Sequence, residues 1–238
     1  MLKFTHPTEF SGKHPDGWGG YTWLDFDGQA NSFHPGDDYN WGNTGNADLG
    51  KPVWAITDGK VVYSGDDTVL YGKMIVIEHT LDAETRKFIK DNYRMDVAVL
   101  YSLYAHLLER YVAIGNRVNS ASLIGRVGKS GVTYAHLHTE LYRGDLDLKD
   151  KPWRFYPIGW KKELIVRNWL PVYSLIEKAK AYQPAPPVDQ YVVEFTKLKI
   201  DIDRLKAETD GLNSSADKKA AYNSTMEKVK KIAAGGHL

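Results

Sequence analysis

The chain has 238 residues, a formal net charge of +1 and 42% hydrophobic residues, enough for one good-sized domain with an accessory segment. It contains no cysteine, which excludes disulfides, thiolate zinc sites and cysteine nucleophiles. A net charge this close to zero does not indicate binding to nucleic acid or to a charged membrane, so we expect neither as a partner.

The N-terminal residues, Met1 to Pro7, lack the apolar core of a signal peptide, and no stretch of sequence is long and apolar enough to cross a membrane. We therefore expect a protein that is released or delivered rather than exported by its own signal. Residues 1–30 are rich in glycine, aspartate and aromatic residues, which predicts loops whose aromatic side chains pack on a domain edge or line a groove. Three histidines in terminal or loop-like stretches are expected to be solvated: His6, His14 and His237.

The stretch from Phe33 to Asn40 contains a Pro-Gly pair that favours a turn. His34 and Asp38 lie on either side of this turn, where both side chains can reach one ion. This pair alone is a weak indication, because histidine and aspartate in a polar turn are usually solvated.

Several short strands are predicted in the middle of the chain. Residues 51–65 indicate a β-hairpin around Asp58-Gly59, and alternating apolar residues indicate further strands at 74–79, 97–107, 112–118 and 123–128. The charged residues 82–96 indicate an inserted loop or short helix. Short strands with glycine-rich turns, and the absence of a βαβ pattern or phosphate-binding loop, predict a mostly β, antiparallel domain.

The strand predicted from Tyr134 to Leu141 carries the strongest functional signal. His136 and His138 project from the same face, roughly 6–7 Å apart along the strand. A divalent metal or a shared substrate would explain such a pair, although two exposed strand histidines give the same pattern. Glu140 follows on that face, either to orient a ligand or to form a cross-strand pair.

The C-terminal quarter of the chain differs from the rest. A short helix is predicted from Val172 to Ala181, and the proline-rich residues 183–189 predict a stiff linker. Beyond it, an apolar stripe at helical spacing predicts a helical hairpin or a coiled-coil oligomer over residues 190–238, with Ser215 as the cap of a second helix: Phe195, Leu198, Ile202, Leu205 and Leu212. The domain boundary is therefore predicted at this linker, with the first domain over residues 1–182.

Three motifs follow one another with compatible spacing: His34-x-Gly36-x-Asp38, Tyr104-Ala105-His106-Leu107 and His136-Leu137-His138. Together they resemble the lysostaphin/LytM-type zinc endopeptidases of bacterial cell walls. The resemblance covers about residues 30–145 and includes scaffold positions such as Pro52-Val53-x-Ala55, Tyr71-Gly72 and Ile124-Gly125. It implies a lysostaphin-like β-sandwich or half-open barrel.

The resemblance also implies site roles. One zinc ion per chain would be bound by His34, Asp38 and His138. His106 and His136 would be catalytic, with His106 as the base and His136 as the oxyanion stabiliser, although these two roles are exchangeable at this stage. His79 is expected to be structural or to support the site from outside.

The chain departs from the family at two places. Residues 82–96 form a longer insert, a candidate cover for one side of the groove, and Thr139 replaces a phenylalanine. The resemblance implies cleavage of peptide bonds in peptidoglycan by a phage endolysin or virion-associated lysin. The alternatives are an inactive peptidoglycan-binding relative and a phage-tail structural protein, whose helical tail would contact a virion protein or a second copy of the chain.

Overall fold

The computed structural model describes residues 2–9, 20–28, 31–41, 45–68, 70–143 and 161–182, with isolated positions between 216 and 227. The chain divides into two compact units, Met1–Tyr182 and Gln183–Leu238. In the second unit, the described positions 216–217, 219–220, 222–224 and 227 are helical. The predicted linker and most of the predicted tail helices lie outside the described residues, so the domain assignment remains a prediction.

The first unit is built around an antiparallel sheet of six strands. In spatial order these strands are β3 (Asp37–Tyr39), β11 (Leu137–Arg143), β7 (Val99–Ala105), β6 (Gly72–Thr80), β5 (Gly59–Asp67) and β9 (Arg117–Val118). The central strands are buried on both faces: in β6, Ile75 and Ile77 belong to one core cluster and Met74 and Val76 to another. The predicted mostly β, antiparallel fold is confirmed.

Two smaller sheets complete the β structure of the described residues. One pairs β1 (Phe26–Asp27) with β2 (Ser32–Phe33), and the other places β10 (Leu123–Arg126) between β4 (Pro52–Trp54) and β8 (Glu109–Arg110). The hairpin predicted over residues 51–65 is therefore wrong. The chain does turn at Asp58-Gly59, but β4 pairs with β10 and β5 pairs with β6, so the two apolar runs enter different sheets.

Three helices lie among the described residues: α1 (Ala83–Tyr93), α2 (Lys162–Asn168) and α3 (Val172–Ala181). Helix α1 occupies the predicted insert, and Asp82 caps its N-terminus by accepting a hydrogen bond from Thr85 N at 2.7 Å. Its buried face packs into the core beside α3, where the ring of Phe88 lies 5.2 Å from that of Tyr182. No residue of 82–96 lines the cleft described below, so the expected cover for the groove is wrong.

The N-terminal segment is hydrogen-bonded to the rest of the first unit, and His6 takes part in these contacts. Thr5 N donates to Ile56 O at 2.9 Å, and His6 Nε2 lies 2.7 Å from Glu177 Oε1 on α3. The side chain of His6 is 8% exposed, so its expected solvation is wrong. His14 and His237 lie outside the described residues. None of the described helices combines the length and apolar character needed to cross a membrane.

Candidate metal centre

A cleft of about 420 Å³ opens beside the end of the main sheet where β3, β11 and β7 meet. Antiparallel pairing sets Asp38 directly opposite His138, and His138 in turn lies opposite Ala105, the last residue of β7. His106 follows immediately. The cleft is thus lined by all five side chains nominated from the sequence: His34, Asp38, His106, His136 and His138.

Three of these side chains, which we call the donor triad, point one atom each at a common position. His34 Nε2 lies 3.0 Å from His138 Nδ1, His138 Nδ1 lies 2.9 Å from Asp38 Oδ1, and His34 Nε2 lies 3.3 Å from Asp38 Oδ1. Ligand atoms around a tetrahedral zinc ion with bonds of 2.0–2.1 Å are separated by about 3.3 Å. The spacing of the donor triad therefore fits one tetrahedral metal with a position left open.

The outer ring nitrogens of the triad support the same conclusion. His34 Nδ1 lies 2.7 Å from Gly36 O, and His138 Nε2 lies 3.0 Å from Glu140 Oε1. When both outer nitrogens donate, the inner nitrogens are lone pairs that face each other and Asp38. Such an arrangement of three electron-rich atoms requires a cation among them, which is what a metal site provides.

Gly36 allows this geometry because the turn after His34 passes very close to β11. A Cβ atom at Gly36 would lie 2.3 Å from the Thr139 carbonyl oxygen, so any side chain there would push β3 away from β11. The glycine of the His34-x-Gly36-x-Asp38 motif is therefore required for the close approach of the two strands that carry Asp38 and His138.

The charges in this buried site are strongly coupled. Burial alone would raise the pKa of Asp38, but the adjacent His34 and a hydrogen bond with His138 hold it well below its ordinary value. Burial would lower the pKa of His138, yet its bonds to Asp38 and Glu140 raise it to about 10. The carboxylates of Asp38 and Glu140 thus favour a positive charge on the His138 ring. A metal ion at Nδ1 would supply this charge in place of the proton.

Glu140 supports the donor triad through its contact with His138 Nε2. It is 2% exposed, and besides His138 its carboxylate accepts hydrogen bonds from the Tyr71 hydroxyl at 2.6 Å and from Trp169 Nε1 at 2.8 Å. Burial tends to raise the pKa of Glu140, but the donors His138, Tyr71 and Trp169 together lower it. Of the two interpretations left open for Glu140, the structure supports orientation of a neighbouring histidine.

His106 and His136 face the cleft beside the donor triad, with ring centroids 4.7 Å apart. His106 Nδ1 lies 2.9 Å from Ser130 O, and His136 Nδ1 lies 3.1 Å from Tyr134 O. Burial lowers the pKa of His106 to about 3 and also lowers that of His136, with the neighbouring histidines adding to the effect at His106. Each ring is therefore held by a carbonyl at Nδ1, which leaves Nε2 for chemistry.

The backbone at His106 is unusual. Its φ of +60° is left-handed, a conformation that is uncommon for residues other than glycine. His106 directly follows the end of β7, and its side chain lines the cleft. His106 N donates to Tyr71 O at 2.9 Å, so the turn is tied to the residue that also contacts Glu140. The sequence did not reveal Tyr71 or Trp169 as site residues, because neither lies near a nominated histidine along the chain.

His79 is structural and lies outside the cleft lining. Its ring is fully buried, with Nδ1 2.8 Å from Asp58 O and Nε2 2.7 Å from the Ser102 hydroxyl. Ser102 Oγ is 3.1 Å from the hydroxyl of Tyr104, which accepts from Ile56 N. Burial lowers the pKa of His79 to about 4, so the ring is neutral at pH 7.

Comparisons with known proteins agree with this geometry. Residues 38–150 match the family model described as Peptidase family M23. Asp38, His106, His136 and His138 lie within the match, and His34 precedes it. The chain is also 29% identical over 96 residues, 40% of its length, to Lipoprotein NlpD of Yersinia enterocolitica, of which these residues cover 81%.

Two solved structures are similar to parts of the chain. A zinc containing peptidase from Vibrio cholerae is 24% identical, with a TM-score of 0.42, over 59% of this chain and 36% of that one. Lysostaphin from Staphylococcus simulans is 19% identical, with a TM-score of 0.44, over 72% of this chain and 55% of that one. The chain thus spans about a third to a half of the length of these two proteins.

Proposed function

We propose that the protein, a zinc metallopeptidase whose residues 38–150 match the model of peptidase family M23, hydrolyses peptide bonds in the cross-links or stem peptides of bacterial peptidoglycan. The observation that carries this proposal is the donor triad at tetrahedral spacing with two further histidines, held at Nδ1, beside it in one cleft. An inactive relative that only binds peptidoglycan would need the cleft but not the donor triad. A complete donor triad with two catalytic candidates favours an enzyme.

We assign the zinc ligands to His34 Nε2, Asp38 Oδ1 and His138 Nδ1, whose mutual distances of 2.9–3.3 Å support this role. Zinc held there supplies a Lewis acid for the scissile carbonyl and an activated water. The remaining chemistry belongs to the protein side chains.

His106 is assigned as the general base. Ser130 O fixes the proton on Nδ1, so the lone pair of Nε2 accepts a proton from the attacking water. As the water oxygen bonds to the carbonyl carbon and the C–N bond breaks, the same nitrogen returns the proton to the leaving amine. No other proton carrier is needed for the two steps.

His136 is assigned as the group that stabilises the oxyanion. Its Nε2 faces the cleft 3.8 Å from Asp38 Oδ1, whose negative charge opposes the lowering of the His136 pKa by burial. A donor at this position can bond to the carbonyl oxygen as charge develops there.

The test uses purified peptidoglycan from several cell-wall types. Loss of turbidity and release of amines are measured for the wild type and His138→Ala, each with and without a chelator. We expect cleavage by the wild type alone, abolished by chelator and restored by zinc, and mass spectra of the fragments would identify the bond cut. His237→Ala, which removes a histidine that belongs to none of the three sequence motifs, is the matched control and should cleave normally.

A wild-type protein that binds zinc but cleaves none of these walls would contradict the proposed activity. Wall binding without cleavage would then identify the inactive, peptidoglycan-binding alternative.

We further propose that residues 190–238 deliver the enzyme, as part of a phage endolysin or virion-associated lysin. The support is the apolar stripe of Phe195, Leu198, Ile202 and their neighbours after a proline-rich linker, which favours association with a partner or a second copy. Co-purification with virions supports the virion role, and sedimentation velocity identifies a homo-oligomer. A monomeric protein absent from virions would contradict both.

A further inference from the structure

The carboxylate of Glu140 has hydrogen-bond donors on both of its oxygens. Oε1 lies 3.0 Å from His138 Nε2 and accepts from the Tyr71 hydroxyl at 2.6 Å, while Oε2 accepts from Trp169 Nε1 at 2.8 Å. The side chains of Glu140 and Trp169 are both almost completely buried, so water does not replace a missing donor. The orientation of this carboxylate is therefore set by Tyr71 and Trp169 together.

Trp169 belongs to a segment that follows the matched family residues 38–150. It ends α2, and a bridge pairs it with Tyr142 on β11, after which Leu170 N donates to Leu141 O at 2.8 Å. The indole packs on the Tyr142 ring with centroids 5.8 Å apart. This segment thus docks on the same strand that carries His138 and Glu140.

We propose that Trp169 is a positioning residue for the metal ligand His138 and acts through Glu140, with Tyr71 as the second donor that holds the same carboxylate. This inference rests on the ligand role proposed above for His138. The segment after residue 160 then contributes to zinc affinity as well as to the packing of the core.

The physical reason is the order of the contacts. Glu140 holds the proton on His138 Nε2 and fixes the ring plane, which keeps the Nδ1 lone pair directed at the metal. Without the indole N–H, Oε2 loses its donor in a buried environment, and the carboxylate turns toward other partners. The bond to His138 weakens, so Nδ1 becomes a poorer and less well-directed ligand.

The experiment measures the zinc dissociation constant of the full chain by competition with a chromophoric chelator. W169F removes the N–H and retains an aromatic ring, and we expect zinc affinity to fall about tenfold, the lower end of the usual effect of losing support to a metal-bound histidine. Y71F removes the other donor without changing α2 and should act in the same direction.

Y142F is the matched control. The Tyr142 ring packs on Trp169, and its buried hydroxyl has no hydrogen-bond partner among the described residues. This variant changes the same packing region without changing the donors of Glu140. We expect its zinc affinity to stay within about twofold of the wild type.

A second readout separates positioning from general damage to the fold. In the E140Q background, W169F should change zinc affinity by less than about twofold, because the contact through which it acts is already lost. The cobalt-substituted W169F protein should also show shifted d–d absorption bands, which report the geometry of His138, while cobalt-substituted Y142F should match the wild type. Circular dichroism establishes that each variant is folded.

The outcomes separate the two proposals. Tight zinc binding by the wild type, with W169F and Y71F both equal to it, would overturn the positioning role and leave the proposed activity intact. Equal and additive losses in W169F and Y142F would overturn it as well, since they indicate packing alone. A folded wild type that binds no zinc would contradict the ligand assignment on which both proposals depend.

Discussion

His106 and His136 have the same arrangement at the residue scale: one ring nitrogen is held by a backbone carbonyl and the other faces the cleft. The acceptors are Ser130 O and Tyr134 O, and a carbonyl acceptor fixes a tautomer without adding a charge. The protein thus orients these two imidazoles beside the donor triad through backbone carbonyls, while the carboxylate of Glu140 contacts His138.

We predict that His106→Ala and His136→Ala each retain stoichiometric zinc, because neither removes a member of the donor triad. Loss of a general base should lower kcat by about 10²–10⁴-fold, and loss of an oxyanion donor by about 10²–10³-fold. Zinc content by atomic absorption and single-turnover rates on a soluble peptidoglycan fragment check this. Loss of zinc in either variant would contradict the assigned roles.

His79 predicts a pH dependence of stability. Its folded pKa of about 4 lies below the ordinary value of 6.5, so the unfolded chain binds more protons between these values. The stabilising contribution of the neutral ring is complete above pH 6.5 and is lost as the pH falls toward 4. The difference between the two pKa values corresponds to a loss of ~3 kcal/mol of stability by about pH 4.

The measurement compares urea unfolding of the wild type and His79→Gln at pH 7 and pH 4.5. The variant is less stable at pH 7 because it loses the bonds to Asp58 O and Ser102. The wild type should lose about 2–3 kcal/mol more than the variant between the two pH values. Equal losses would show that another group dominates the acid sensitivity.

At the scale of elements, the glycine-rich turn before β11 supports the cleft through close backbone contact. A Cβ atom at Gly128 would lie 2.2 Å from Leu108 N and 2.5 Å from His106 O, and Gly128 also bridges to His136. These neighbours are backbone atoms, so a rotamer change cannot relieve the overlap. The turn and the segment after β7 must therefore move apart if a side chain is introduced.

Gly128→Ala should accordingly lower the free energy of unfolding by about 1–3 kcal/mol and reduce activity by displacing His106 and His136. Gly28→Ala is the control, since a Cβ atom there meets nothing within 4 Å. Chemical denaturation and peptidoglycan turbidity assays check both variants. Wild-type activity and stability in Gly128→Ala would contradict the close packing.

Helix α1 is expected to contribute to the stability of the protein but not to catalysis. Its cap, Asp82, accepts from Thr85 N, and no residue of α1 lines the cleft. Asp82→Ala should therefore cost about 1 kcal/mol of stability while zinc affinity and kcat remain unchanged. Urea titration with a parallel activity assay tests this, and a loss of zinc affinity would indicate a coupling to the cleft that the contacts do not show.

At the scale of the whole molecule, the boundary of the first unit at Tyr182 makes a truncation informative. We expect a chain ending at Tyr182 to keep its zinc affinity and its rate on soluble peptidoglycan fragments, and to lose any delivery function of the tail. A chain ending at Arg143 lacks α2, α3 and Trp169 and should lose stability and zinc affinity together. Zinc titration and thermal melting of both chains provide the test.

The sequence by itself determined the class of fold and which side chains meet in the cleft. Period-two alternation identifies strands, and the resemblance of three short motifs to a family of zinc endopeptidases groups His34, Asp38, His106, His136 and His138. Such information is local, because it depends on neighbours along one strand or turn. It can therefore be obtained without knowing how the strands pair.

Only the tertiary structure decided which strands pair and what holds each histidine. β4 pairs with β10 rather than with β5, and Glu140 receives its donors from Tyr71 and Trp169, which lie far from it along the chain. The choice of strand partner depends on packing summed over the whole core, and backbone acceptors such as Ser130 O have no signature in residue type. Contacts between distant segments therefore decided how the site is held in place, while short motifs decided which side chains form it.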